Sequence, residues 1–162
     1  DDPMNFDVPL ERNRGFRDVA RAHGLEIDPA HAESGNFGIA GGYEATRRLL
    51  DLSTPPTGVF AMSDEMAFGA LMALAEHSLE PGVDMSIMGV DDHEFAQVVD
   101  LTTIRQPVAD HGSAAARMLV EQMTRSERGE AAPTAAAVSA FELQPDIVLV
   151  VRSTTGPHRA RH

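Results

Sequence analysis

The sequence of 162 residues lacks cysteine and is poor in basic side chains. Without cysteine, neither a disulfide framework nor a thiolate metal site can form, which favours a reducing compartment such as the cytoplasm. Thirteen basic against 25 acidic residues give a formal net charge of −12, a surface that repels nucleic-acid phosphates. No apolar run approaches the roughly 20 residues that span a bilayer, and the N-terminal residues do not resemble a signal peptide. The segment is therefore not expected to bind DNA or a membrane by itself.

Apolar residues make up 43% of the chain, enough for one domain with a core or for a two-lobed domain. Residues 1–10 read as an irregular start. Helical periodicity and apolar runs then alternate along the sequence, which predicts an α/β fold with a parallel sheet flanked by helices. The predicted helices are 11–24, 41–52, 64–77 and 109–124. The predicted strands or extended segments are 25–28, 58–62, 85–90, 102–107, 134–143 and 147–151, the last as a buried strand.

Polar residues directly follow the two clearest predicted strands. Ser63 and Asp64 come after residues 58–62, and Asp91 comes after residues 85–90. In an open parallel sheet, ligands bind just beyond the carboxyl ends of the strands. These positions therefore predict a cleft for a small molecule.

Other chemistry fits the sequence poorly. The glycine-rich stretch 34–42 matches neither a dinucleotide-binding fingerprint nor a P-loop, so its glycines are interpreted as turns and a helix start. The acidic run 91–94 is a weak metal site because adjacent side chains point in different directions. Ser63 and Ser86 lack the setting of a nucleophile elbow. We expect no metal, no cofactor and no enzymatic activity.

Five motifs follow one another between residues 12 and 155. They read RNRGF from Arg12, AMSDEMAFGAL from Ala61, SIMGVDD from Ser86, LTTIRQP from Leu101 and LVVRST from Leu149. Together, in this order and spacing, they resemble the effector-binding domain of the lactose-repressor (LacI/GalR) family of bacterial transcription regulators.

This resemblance implies a two-lobed, periplasmic-binding-protein-like fold of type I. Residues 1–108 would form the C-terminal lobe, incomplete at its start, and 145–155 would return to it. Residues 109–144 would belong to the N-terminal lobe, and 156–162 would be a disordered tail. The family's helix-turn-helix, most of its N-terminal lobe and the first strand of its C-terminal lobe would precede Asp1.

Two charged residues are the leading ligand-binding candidates. Asp91, at the end of a strand, can accept hydrogen bonds from two neighbouring hydroxyls, as recognition of a sugar requires; otherwise it caps the next turn. Arg12 resembles the family's effector-gripping arginine, and its guanidinium suits vicinal hydroxyls; otherwise it is a solvated residue at a helix start. Asp92 is expected to cap or turn the chain.

Four further candidates carry an alternative structural role. Ser63 and Asp64 either contact ligand or cap the helix that follows and oppose its dipole. Phe37 lies where the family often places an aromatic ring against the sugar, and otherwise belongs to the core. Gln106 lies where the chain would cross between lobes and bonds either to ligand or to backbone.

The sequence therefore predicts a ligand-responsive transcription regulator whose effector is a sugar- or nucleoside-like molecule. The resemblance implies a homodimer that binds operator DNA only through an N-terminal domain, with hinges near Gln106 and Pro145. The alternative is a solute-binding receptor for sugar transport or chemosensing, which shares the fold. A helix-turn-helix upstream would indicate the regulator, and an apolar signal segment would indicate the receptor.

Overall fold

The computed structural model describes residues 7–128 and 147–157. The predicted strand at 134–143, the lobe crossing at Pro145 and residues 158–162 of the predicted tail lie outside the described residues. The described part contains the helices α1 Asp7–Ala22, α2 Ile39–Leu50, α3 Asp64–Glu76 and α4 Val108–Glu127, and the strands β1 Gly58–Phe60, β2 Ser86–Asp91, β3 Thr102–Arg105 and β4 Val148–Val150. A 3₁₀ turn covers Pro29–His31.

The strands form one four-stranded sheet in the order β1-β2-β3-β4. β1 and β2 are parallel, with Val59 opposite Ile87, and α3 connects them. Two parallel neighbours joined by a helix constitute a β-α-β unit, whose strands both end at the same edge of the sheet. The predicted α/β arrangement is confirmed. The residues that follow β1 and β2 therefore lie side by side.

The core lies where α3 covers the sheet. Its buried apolar side chains are Ala61, Ala67, Ala70, Leu74, Met85, Ile87, Ala96 and Leu101. Helix α3 also packs closely on α2, because glycines stand at the crossing. A Cβ on Gly69 would lie 2.0 Å from the carbonyl oxygen of Ile39, and one on Gly42 would lie 2.2 Å from that of Met66. Only glycine fits at these two positions.

The described residues group into two compact units. The first runs to Ile104 and resumes at Leu149, and it contains the core. The second runs from Arg105 to Val148 and contains α4. In α4, Leu119, Val120 and Met123 are 62–66% exposed. The lobe boundaries expected from the sequence stay predictions.

Three local predictions were wrong. The expected irregular start is helical from Asp7, with Pro9 in the first turn, where a proline is tolerated. No strand forms at 25–28, because the Leu25 N–H donates to the Ala20 carbonyl at the end of α1 and Asp28 caps the 3₁₀ turn. The run 147–151 is not buried, since its side chains reach 69% exposure at Val151. Its β-branched composition reports strand propensity, and burial depends on what packs against it.

No helix in residues 7–128 or 147–157 is both long and apolar enough to cross a membrane.

Candidate ligand-binding site

The turn at the end of β2, formed by Asp91 and Asp92, has an unusual backbone. Asp91 has φ 121° and Asp92 has φ 54°, so both lie in the left-handed region that residues with a side chain rarely adopt. Such conformations cost on the order of 1–3 kcal/mol each and persist only where the surroundings impose them. The turn directly follows the strand end at which the sequence predicts a ligand, and Asp92 turns the chain as expected.

Backbone amides of this turn are held by buried side chains. The Asp92 N–H donates to Oγ1 of Thr103 at 3.3 Å, and the Thr103 hydroxyl donates to Oδ1 of Asp64 at 2.6 Å. The His93 N–H donates to the other oxygen, Oδ2 of Asp64, at 2.7 Å. Asp64 therefore joins the start of α3 to both the turn and β3.

Asp64 is fully buried and accepts these two hydrogen bonds with separate oxygens. Burial raises its pKa above the ordinary 3.8, the bonds from Thr103 and the His93 N–H oppose that rise, and the charges of Asp91 and Asp92 add to it. A Cβ on Gly89 would lie 2.2 Å from Oδ1 of Asp64, so glycine makes room for the carboxylate. These contacts give Asp64 a part in shaping the turn.

Ser63 is also buried, and its hydroxyl accepts a hydrogen bond from the Met66 N–H at 3.2 Å. It is the N-cap of α3, so the predicted capping role is confirmed. Contact of Ser63 or Asp64 with a ligand stays a prediction, and their burial argues for support of the site from beneath.

The Asp92 side chain of the turn forms an ion pair with Arg152. Arg152 donates from Nη2 to Oδ1 of Asp92 at 2.8 Å and from Nη1 to the Leu101 carbonyl at 2.6 Å. The Arg152 and Asp92 side chains are only 15% and 10% exposed. The sequence reasoning assigned no role to Arg152 or Thr103, although both lie inside motifs that carry the family resemblance.

The structure brings Arg12 and Asp91 together. Arg12 Nη2 lies 3.9 Å from Oδ1 of Asp91, and Arg12 Nη1 donates to the Met62 carbonyl just after β1. The Arg12 side chain is 24% exposed and that of Asp91 is 40% exposed. A guanidinium and a carboxylate thus stand partly open to solvent beside two neighbouring strand ends. Such a pair offers both donors and acceptors to a polar ligand.

The two remaining candidates lie elsewhere. Phe37 is 43% exposed with φ 54°, in the turn before α2, so it is not a core residue within the described part of the chain. Gln106 belongs to the Arg105–Val148 unit, and its carbonyl accepts from the Val108 N–H at 2.9 Å. Ligand contact by both residues stays a prediction.

Metal ligation and binding in an apolar cavity are two other kinds of site that these residues could form. Among residues 7–128 and 147–157, no group of three histidine or acidic side chains is placed to hold a metal. A cavity of about 180 Å³ lies beside β1, between α1 and α2, and is lined mainly by apolar side chains such as Phe16, Leu49 and Phe60. The rings of Phe16 and Phe60 stack there at 5.3 Å. The lining also includes the polar side chains of Asn13, Arg17, His31, Glu33 and Thr46. The Arg12–Asp91 pair remains the candidate because it offers an accessible carboxylate beside a guanidinium at the strand ends.

The chain matches a known protein family over most of its length. Residues 3–155 match the periplasmic binding protein-like domain, and the chain therefore belongs to that family. The resemblance to LacI/GalR regulators is also confirmed by individual relatives. The HTH-type transcriptional repressor CytR of Escherichia coli is 40% identical over 114 residues, which are 69% of this chain and 33% of that protein.

Solved structures of transcription regulators also superpose on this chain. A probable transcription regulator from Thermus thermophilus superposes with a TM-score of 0.81 at 34% identity, over 99% of this chain and 58% of its own. A LacI family regulator from Enterococcus faecium with bound ribose gives a TM-score of 0.72 at 28% identity, over 91% of this chain and 52% of its own. The chain thus spans about a third of the curated relative and about half of each structure.

Proposed function

We propose that this chain is the effector-binding region of a LacI-type transcription regulator and that it binds a small sugar-like molecule beside Arg12 and Asp91. The observation that carries the proposal is the 3.9 Å approach of Arg12, on α1, to Asp91, at the end of β2. The carboxyl ends of parallel strands are where open α/β sheets bind ligands. The repressor relative and the ribose-bound regulator support the same reading.

The chemistry of the pair suits a polyhydroxylated ligand. An ionised carboxylate accepts hydrogen bonds from two adjacent hydroxyls, and a guanidinium presents several donors in one plane. Arg12 is already held by the Met62 carbonyl, so its planar group is oriented before ligand arrives. Pre-orientation lowers the entropic cost of binding. We propose Phe37 and Gln106 as further contacts that add ring stacking and an amide.

Coupling to DNA would follow from a shift between two arrangements of the lobes. In this proposal, residues 109–144 belong to the N-terminal lobe, and the segments near Gln106 and Pro145 act as hinges. A ligand that binds one arrangement more tightly shifts the population towards it and so changes the affinity of a homodimer for operator DNA. Because this chain has a net charge of −12, we assign DNA contact to another part of the protein. We propose that the protein acts in the cytoplasm.

A ligand screen on the full-length protein tests the proposal. Thermal shift against pentoses, hexoses, disaccharides and nucleosides is expected to give a dose-dependent rise in Tm for one class, because a ligand that binds only the folded state stabilises it. The same ligand should change the affinity for operator DNA. A ligand that raises Tm without changing DNA affinity would favour the alternative, a solute-binding receptor.

A further inference from the structure

The turn Asp91–Asp92 needs a restraint because two consecutive non-glycine residues have positive φ. Amide hydrogen bonds from Asp92 and His93 to Thr103 and Asp64 supply part of it. Amides restrain the backbone of the turn, whereas the Asp92 side chain is held separately, by Arg152. We propose that Arg152 is a positioning residue for the ligand site: its ion pair with Asp92 holds the left-handed turn that presents Asp91 beside Arg12. This inference rests on the proposed function.

Arg152 is itself anchored at both its backbone and its guanidinium. Its N–H donates to Oγ1 of Thr102 at 2.9 Å, and its carbonyl accepts from the same hydroxyl at 3.1 Å. Its Nη1 donates to the Leu101 carbonyl while Nη2 reaches Asp92. The arginine therefore ties the turn to the start of β3 along two routes. A residue held this firmly can transmit restraint to its partner.

Burial makes the pair effective. With exposures of 15% and 10%, the two charges are poorly screened by water and salt. A second ion pair serves as a matched control: Arg48 and Glu33 approach to 2.7 Å, but their side chains are 50% and 28% exposed and they join α2 to the segment before it. Removal of Arg48 deletes an equally short ion pair without touching the turn.

Amide hydrogen exchange in the full-length protein tests the restraint without any ligand. In Arg152→Met, the Asp92 and His93 amides are expected to exchange at least about tenfold faster than in the wild type, measured against the Ala67 amide of α3 as internal reference. Arg48→Met should leave all three unchanged. Unchanged protection of Asp92 and His93 in Arg152→Met would overturn the proposal.

Two further variants control for misfolding of Arg152→Met, which leaves the Asp92 charge without its cationic partner. Asp92→Asn keeps the shape of that side chain and weakens the pair from the other side. The double variant Asp92→Asn with Arg152→Met removes both charges. Both variants are expected to show the same accelerated exchange at His93, and normal protection in both would overturn the proposal.

Calorimetry with ribose as the probe tests whether the restraint reaches the ligand. Asp91→Ala and Arg152→Met are each expected to weaken ribose binding about tenfold or more. Asp91→Ala combined with Arg152→Met should bind ribose no worse than Asp91→Ala alone. Losses that multiply would mean that Arg152 affects ribose binding independently of Asp91 and would overturn the positioning role. Unchanged affinity in Asp91→Ala would overturn the proposed site, while the exchange rates still decide whether Arg152 holds the turn.

Discussion

At the level of single residues, the proposed site depends on the carboxylate of Asp91. Asp91 is the last residue of β2 and has φ 121°, and its side chain is partly open to solvent beside Arg12. The nearby acidic residues are placed differently. Asp92 forms an ion pair with Arg152, and Glu94 is exposed. Asp91 is thus the more exposed of the two adjacent carboxylates, at 40% against 10%, and an exposed carboxylate can reach a ligand.

We predict that Asp91→Ala in the full-length protein abolishes the effector response without unfolding the domain. Loss of two charge-assisted hydrogen bonds should cost roughly 2–4 kcal/mol of binding free energy, after partial compensation by water. Titration calorimetry with the ligand found by the screen measures this loss. Glu94→Ala is the matched control and should bind normally. Wild-type affinity in Asp91→Ala would remove this residue from the site.

Substitution of Arg12 tests whether ligand binding depends on the planar shape of the guanidinium or only on its positive charge. We predict that Arg12→Lys weakens effector binding almost as much as Arg12→Ala, because an ammonium group cannot contact the Met62 carbonyl and the ligand with separate, coplanar donors. Dissociation constants of both variants check this expectation. If lysine restores most of the affinity, Arg12 acts as a local positive charge and its planar shape is irrelevant.

Asp64 carries a pH dependence of folding. Because burial raises its pKa in the folded state, the favourable contribution of the protonated form is complete below the ordinary 3.8 and is lost as pH rises through the raised value. We predict that the free energy of unfolding of the wild type, minus that of Asp64→Asn, decreases as pH rises through this window. Urea titrations at several pH values measure it, and a difference independent of pH would contradict the assignment.

At the element scale, the contact between α2 and α3 brings two backbones unusually close. Gly42 and Gly69 lie at this crossing, where any Cβ would collide with main-chain atoms of the other helix. Main-chain atoms cannot rotate away as a side chain can, so the helices would have to separate. The close packing of α2 on α3 therefore requires glycine at both positions.

We predict that Gly69→Ala destabilises the protein by about 1–3 kcal/mol, the usual cost of an overpacked contact. Gly15→Ala is the control, since a Cβ at that position of α1 meets nothing within 4 Å. There the added methyl should stabilise the helix by about 0.5–1 kcal/mol. Thermal melts of the two variants should shift in opposite directions. Equal shifts would mean that α2 and α3 are not in backbone contact.

At the scale of the whole chain, α4 presents apolar side chains to solvent. Val108, Leu119, Val120 and Met123 are 62–67% exposed. Covering a large apolar side chain contributes about 1.5–3 kcal/mol, a sizeable part of a domain's roughly 5–15 kcal/mol of stability. These residues therefore favour association with another surface.

We predict that the 162-residue chain, prepared by itself, self-associates at micromolar concentration through α4. Light scattering should give a mass above 17.4 kDa. Leu119→Glu together with Met123→Glu should lower that mass, because charges would have to be buried in the contact. Gln122→Glu, at an exposed polar position between them, should leave it unchanged. A wild-type chain that stays monomeric and melts cooperatively would contradict this prediction and the assignment of α4 to the N-terminal lobe.

Local sequence patterns determined most of the helices and strands of the described residues. Apolar periodicity predicted α2, α3 and α4 to within a few residues, because a helix buries one face and repeats it every 3.6 residues. Ser63 was correctly predicted as an N-cap, since that bond spans only three residues. A position directly after a predicted strand placed Asp91 among the candidates, whereas Arg12 entered through the family resemblance.

Tertiary structure alone decided which of those residues are buried and which partners hold them. Asp92 and Arg152 are 60 positions apart, and Asp64 and Thr103 are 39 apart, so no periodicity connects them. Asp64 and Asp91 look alike in the sequence, both acidic and both at strand ends, yet one is enclosed and the other is open. The difference arises because Thr103 and the His93 N–H close over Asp64 once β3 pairs within the sheet, and burial depends on such distant neighbours, which a local pattern does not contain.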